Sequence, residues 1–203
     1  KRQDLPISIK TRLGLGYDQD LDDIKKFIRL TSEAGCEIFY IHARNAILNG
    51  LSTRKNRSVP PLRYDDVMIL KETFPHLKIY INGGIANLED LNELLAVYGG
   101  VMLGRKIYDD PMFLNDIEKK IFFSKNYLST QKVISRYIDQ LEPEDNQNKL
   151  FALRHLTNLH KGTCYAKKWR KYLHSVINSD QPFQNIKDFD YRDKNEERKI
   201  NCS

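Results

Sequence analysis

Four short groups in this chain combine residue types that could do chemistry: Lys10, His42, Asn82-Gly83-Gly84 and Gly104-Arg105. Each closes a short apolar run. A lysine can pair with an anionic atom, and a histidine can hold or move a proton near neutral pH. Glycines after a strand let backbone approach a ligand closely, and a helix opening near Asn87 would offer N–H groups to an anion. The pattern recurs about twenty residues later, where GVML precedes Gly104-Arg105. Strand, glycine and phosphate-reading group, twice in succession, is what a phosphate cup between the last two strands of a (β/α)8 barrel requires. Taken singly, Gly-Gly is a turn, Lys10 a snorkelling surface lysine and His42 a structural histidine. Their shared position at the ends of successive strands argues for one ligand-facing mouth.

Two further stretches are basic and free of acid. Residues 43–64 carry Arg44, Arg54, Lys55, Arg57 and Arg63, in a loop long enough to be functional. Residues 149–174 carry Lys149, Arg154, Lys161, Lys167, Lys168, Arg170 and Lys171. In the last helix Ala166, Trp169, Leu173 and Val176 recur at core spacing, with Lys167, Arg170, Lys171 and His174 on another face. A braced basic stripe of this kind suits the backbone of a nucleic acid, where phosphate contacts and shape dominate. Trp169 reads as core rather than as a stacking platform. No metal constellation is legible: His155, His160 and His174 lack partners at ligand spacing. No Ser-His-Asp arrangement is legible either.

The positioning elements alternate. Strands are predicted over 5–12, 37–42, 78–81 and 100–103, and helices over 20–34, 64–74, 88–97 and 111–122. Four βα units in order imply a parallel sheet with its ligand groups at the strands' C-terminal ends. They amount to half of a barrel, with two unpaired edges. The chain is therefore expected to be the back half of a larger protein, or to pair with a partner or a second copy that closes the sheet. From residue 125 the alternation stops, and helices are predicted over 130–141, 147–159 and 165–177. The expected organisation is a half-barrel over 1–124, a small helical domain over 125–178 and a charged, fraying tail over 179–203.

The 203 residues are 40% hydrophobic and 30% charged, with net charge +6, as expected of a globular chain. Residues 125–203 hold 15 Lys and Arg against 10 Asp and Glu, which places the basicity mainly in the helical part. No apolar run approaches the roughly 20 residues of a membrane span. The chain starts Lys-Arg-Gln-Asp, with no leader visible. Cys36, Cys164 and Cys202 show no paired spacing, which fits a reducing, cytoplasmic setting.

The segments SIKTRLG, EAGCEIFYIHARNAILNGLS, NRSVPPLRYD, FPHLKIYINGG and GVMLGRKIYDDP occur in this order. Together they resemble the tRNA-dihydrouridine synthases, and most closely the DusA subfamily, from about Leu5 to His174. The resemblance implies an FMN-dependent barrel with an appended helical tRNA-binding domain. In it NADPH reduces the flavin, which passes hydride to C6 of a uridine flipped out of tRNA. It further implies that Lys10, His42, Asn82, Gly83, Gly84, Gly104 and Arg105 bind FMN. Arg54 and Arg57 in the loop, and Lys167 and Arg170 in the helical domain, would contact tRNA. The family's catalytic acid is a cysteine that would precede Lys1, so no catalytic residue is expected in this chain. Cys36, at the far end of its strand, is not a substitute. The chain alone is expected to bind FMN poorly and to turn over little. Two alternatives stand beside this reading: a non-catalytic tRNA-binding remnant, and a dimerising half-barrel metabolic enzyme.

Overall fold

A computed structural model describes residues 5–17 and 20–189 of the chain. Two compact units are present, one up to Gly104 and one from Arg105 onward. The first is α/β. Its elements are β1 (Ser8–Arg12), α1 (Asp22–Glu33), β2 (Ile38–His42), α2 (Tyr64–Thr73), β3 (Lys78–Asn82), α3 (Leu88–Tyr98) and β4 (Val101–Met102). All four strands are parallel and lie in the order β1-β2-β3-β4. β4 is two residues long, shorter than its sequence pattern suggested.

Sequential order without reversal puts every right-handed crossover helix on one face of the sheet. Ile24 and Ile28 of α1, Val67 and Leu70 of α2 and Tyr98 of α3 pack with Phe39, Ile41, Ile79 and Ile81 into one core. Because side chains alternate across a strand, the opposite face carries Lys10 and Arg12, Tyr40 and His42, Tyr80 and Asn82, and Met102. The register makes two rows of these: Lys10, Tyr40 and Tyr80, then Arg12, His42, Asn82 and Met102 at the C-terminal edge. The Tyr40 and Tyr80 rings lie 5.5 Å apart, tilted. Tyr80 also covers Gly100, where an added Cβ would come within 2.3 Å of the ring; the position just before β4 therefore calls for glycine.

The second unit is helical: α4 (Arg105–Asp109), α5 (Phe113–Lys120), α6 (Thr130–Asp139), α7 (Lys149–Leu153) and α8 (Ala166–Ile177). The helix expected to close the fourth βα unit, α5, thus lies in this unit. The helix predicted over 147–159 is in fact a 3-10 turn at Pro143–Asn148, the short α7, and a second 3-10 turn at Arg154–Leu156. Trp169 is fully buried, and its indole N–H donates to the Leu156 carbonyl at 2.8 Å. It is core, as its spacing predicts.

The tail begins later than the sequence suggested. A 3-10 helix at Phe183–Asp188 inserts Phe183 and Ile186 into the helical core, and Phe189 joins them. Three apolar residues at spacing 3 along a tight helix bury one stripe, and that burial outweighs the polar composition around it. The charged stretch from residue 190 lies outside the described residues. Among the described residues, no helix is long and apolar enough to cross a membrane.

Candidate functional site

Three of the residues singled out by sequence share one sheet face. Lys10 stands one row below His42 and Asn82, which are direct register partners across β2 and β3. Arg12, which sequence reasoning passed over, occupies the same row as His42. Its signal was available, since a basic residue two places beyond Lys10 must share its face. Burial lowers the pKa of Lys10, and the nearby Arg12 lowers it further. Arg12 is itself lowered by burial and by Arg57. No acid occurs in any of the four strands. The face is therefore electropositive and self-repelling, a condition that a bound anion relieves.

Asn82 is partly committed to the fold: its amide donates to the Met102 carbonyl at 2.6 Å and ties β3 to β4. Gly83 and Gly84 both have positive φ, 111° and 79°. An added Cβ at Gly83 would lie 2.7 Å from the His42 ring, and one at Gly84 would lie 2.4 Å from the Tyr64 hydroxyl. Both glycines are required by the chain's own side chains, whatever ligand approaches. The Tyr64 hydroxyl donates to the Gly83 carbonyl at 2.8 Å, and the Tyr98 hydroxyl donates to the Tyr64 carbonyl at 2.8 Å. Burial, then Asp65 and Tyr64, pushes the Tyr98 phenol up to about 12, so it remains a donor. Tyr64 is likewise raised, first by burial.

The N-terminus of α3 is not the open anion site that the glycines suggested. Asn87 caps it, accepting from the Asp90 N–H at 2.8 Å, and the Asp90 carboxylate accepts from the Ala86 N–H at 3.1 Å. The helix carries its own anion there. By contrast an added Cβ at Gly104 meets nothing within 4 Å, so backbone at the end of β4 remains approachable. Arg105 follows as the first residue of α4, in the second unit.

The long basic loop is ordered by polar contacts that no local pattern reveals. Arg12 Nη1 donates to the carbonyls of Asn45 and Asn56, both at 2.9 Å. The Asn56 amide accepts from the Ile47 N–H at 2.7 Å and donates to the Ile47 carbonyl at 2.6 Å. The Ala43 N–H donates to the Asn82 carbonyl, and the Arg63 N–H donates to the Ala43 carbonyl. Buried Asn45 donates to the Gly16 carbonyl at 3.0 Å. A 3-10 turn at Lys55–Arg57 then presents Arg54, Lys55 and Arg57 to solvent.

In the second unit Lys167 and Arg170 are exposed on α8, with Lys171 and His174 beside them, while Trp169, Leu173 and Val176 are buried. Lys149 leaves the basic set. It is buried, and its ammonium donates to the carbonyls of Ser179 at 2.5 Å and Gln181 at 2.6 Å. Cys36 is buried at the N-terminal ends of β1 and β2, its sulfur facing the carbonyls of Ile7 and Ile38. It thus lies at the opposite end of the sheet from His42, as the sequence predicts. Among the described residues no group of three or more His, Cys, Asp or Glu could hold a metal ion.

The dihydrouridine synthase family model matches residues 1–194. A tRNA-dihydrouridine(20/20a) synthase of Synechocystis sp. is 36% identical over 178 residues, covering 85% of this chain and 53% of the relative. The protein of that name from Escherichia coli K12 is 38% identical over 173 residues, covering 83% and 50%. That of Pasteurella multocida is 36% identical over 172 residues, covering 83% and 53%. The chain spans about half the length of the curated relatives it matches. The match takes in both the cationic sheet face and the helical unit, and the chain belongs to the dihydrouridine synthase family.

Proposed function

We propose that this chain is the C-terminal portion of an FMN- and NADPH-dependent tRNA-dihydrouridine synthase of the cytoplasm. On this reading the four strands are the last four of a (β/α)8 barrel, and the helical unit binds tRNA. The observation that carries the proposal is the row Arg12, His42 and Asn82 with Lys10 beneath it, at the C-terminal edge of a sequentially ordered parallel sheet. Family membership supports it.

The residues present fit a flavin phosphate and an electron-rich ring. An acid-free face with two cations lowered by burial favours an anion, and Gly104 leaves backbone open to close approach. Lys10 and His42 would hold the flavin from the sheet face, Gly83 and Gly84 from the end of β3, and Gly104 and Arg105 from the end of β4. FMN bound there would supply the hydride that dihydrouridine formation requires. The chain's own part is to hold the anionic group against Lys10, keep His42 fixed against Gly83, and present Arg54 and Arg57 to the substrate's phosphates. Lys167 and Arg170 add a basic surface of their own in the helical unit. Cys36, buried at the opposite end of the sheet from His42, is not placed to give a proton to the uridine ring.

Fluorescence titration of FMN into the purified chain, with assay of undermodified tRNA in the presence of NADPH, tests this. Weak flavin binding, salt-sensitive tRNA binding and no dihydrouridine are expected from the chain by itself. Full turnover by the chain alone would overturn its reading as a portion of the enzyme. Absence of both flavin and tRNA binding would overturn the site.

A further inference from the structure

Just past the end of α5 two large aromatic rings are exposed. Phe122 is 60% exposed and Phe123 84%. Phe123 has φ 51°, the one positive φ at a non-glycine position among the described residues. A bulky L-residue adopts that conformation at a cost, and glycine is the usual occupant of such a position after a helix.

The segment is nevertheless held in place. The Ser124 N–H reaches back to the Glu118 carbonyl at 2.8 Å. The Asn115 amide donates to the Leu128 carbonyl at 2.6 Å and accepts from the Leu128 N–H at 3.2 Å. The knuckle between these anchors is therefore presented outward by its own hydrogen bonds.

Its surroundings are cationic. Lys119, Lys120 and Lys125 are exposed, and from Lys119 to Ile138 the chain contains no acid. The Lys119 ammonium lies 4.2 Å from the centre of the Tyr127 ring, itself 47% exposed. Apolar exposure alone would suit any hydrophobic partner. Aromatic rings alternating with lysines suit a ligand with flat faces and a charged backbone, which is single-stranded nucleic acid.

We propose that Phe122 and Phe123 form a stacking platform for unpaired bases of RNA, with Lys119, Lys120 and Lys125 on the adjoining phosphates. This site is separate from the basic stripe of α8. It rests on the reading of the chain as an RNA-binding protein.

The test compares an unstructured single-stranded RNA with a duplex of equal length, by fluorescence anisotropy with the full chain. Phe123→Gly is the informative variant. It removes the ring and also relieves the backbone, so it should raise the melting temperature while weakening single-stranded binding by about 5- to 100-fold. Duplex binding should be unchanged. Phe122→Ala should weaken single-stranded binding in the same way. Unchanged single-stranded affinity in Phe123→Gly overturns the proposal, as does an equal loss for both RNAs. A wild-type dimer that Phe123→Gly dissociates also overturns it, because the knuckle is then a self-association surface. Failure of the unmodified chain to bind either RNA removes the underlying reading instead.

Discussion

The His42 ring occupies the space that a side chain on Gly83 would need. A Cβ there would lie 2.7 Å from His42 Cδ2 and 2.9 Å from Nε2. The glycine at the end of β3 and the histidine at the end of β2 are one packing unit, and the backbone at Gly83, with φ 111°, is what brings them together.

Gly83→Ala should therefore cost roughly 2–4 kcal/mol, from positive φ and from overpacking against the ring. Gly35 is the control: it also has positive φ, 103°, but an added Cβ meets nothing within 4 Å. Gly35→Ala should show the conformational part alone. In urea unfolding, His42→Ala should recover part of the Gly83→Ala loss but none of the Gly35→Ala loss. Equal costs at the two glycines would rule out the His42 ring as the cause.

Lys10 and Arg12 make the sheet face self-repelling, and its sign can be read by titration. The Lys10 pKa is lowered by burial and by Arg12, so the folded chain gives up this proton more readily than the unfolded one. The penalty is fully present below the folded pKa and fades as pH rises towards the unfolded value of 10.5. An anionic ligand has the opposite dependence, because it needs the charged lysine. Lys10→Met should raise the melting temperature of the ligand-free chain at neutral pH and abolish the increase that FMN produces. A Lys10→Met protein still stabilised by FMN would place the anion elsewhere.

The Arg12 guanidinium ties two points of the basic loop together. Arg12→Ala removes two hydrogen bonds, to Asn45 and Asn56, each worth about 1 kcal/mol or more for a charged donor. Hydrogen exchange should rise at Ile47, whose N–H is held by the Asn56 side chain, with little change in the helical unit. Protection at Ile47 that survives the substitution would show that other groups order the loop.

Much of this was legible in the sequence, and the misses have identifiable physical causes. Alternation located the strands, and apolar spacing assigned Trp169, Leu173 and Val176 to the core. Alternation also places Arg12 on the face of Lys10, an inference that needed only a two-residue step. The cap on α3 was readable as well, in the spacing of Asn87 and Asp90, and it closes the helix end that the glycines alone would leave open. The loop was illegible because Arg12 reaches Asn56 across 44 residues, and no periodicity encodes such a reach. Lys149 reads in the sequence only as one member of an acid-free basic stretch, because its buried role depends on carbonyls 30 and 32 residues away.

Lys149 and Lys167 should accordingly behave differently. Lys149→Ala leaves two carbonyls without their donor and should destabilise the helical unit by about 1–3 kcal/mol. It should leave the salt dependence of tRNA binding unchanged in the folded fraction. Lys167→Ala and Arg170→Ala, both on exposed positions, should leave stability unchanged and lower the salt slope by about one for each phosphate that is no longer neutralised. A reduced slope in Lys149→Ala would return that residue to the binding surface.

His160 gives the helical unit an acid limit. It is buried, with its ring 5.1 Å from Trp169, 6.3 Å from Tyr165 and 6.5 Å from Phe189. Burial lowers its pKa below the ordinary 6.5, so the unfolded chain binds this proton more readily than the folded one. Stability from this group is complete above 6.5 and is lost as pH falls from there through the folded value. Phe189 follows directly on the Phe183–Asp188 turn and packs in that core, so acid should release this turn early. Urea unfolding across mildly acidic pH should show stability falling with pH in the native protein and a flatter profile in His160→Leu, which keeps a similar volume without a titrating group. Parallel profiles would assign the acid sensitivity to carboxylates instead.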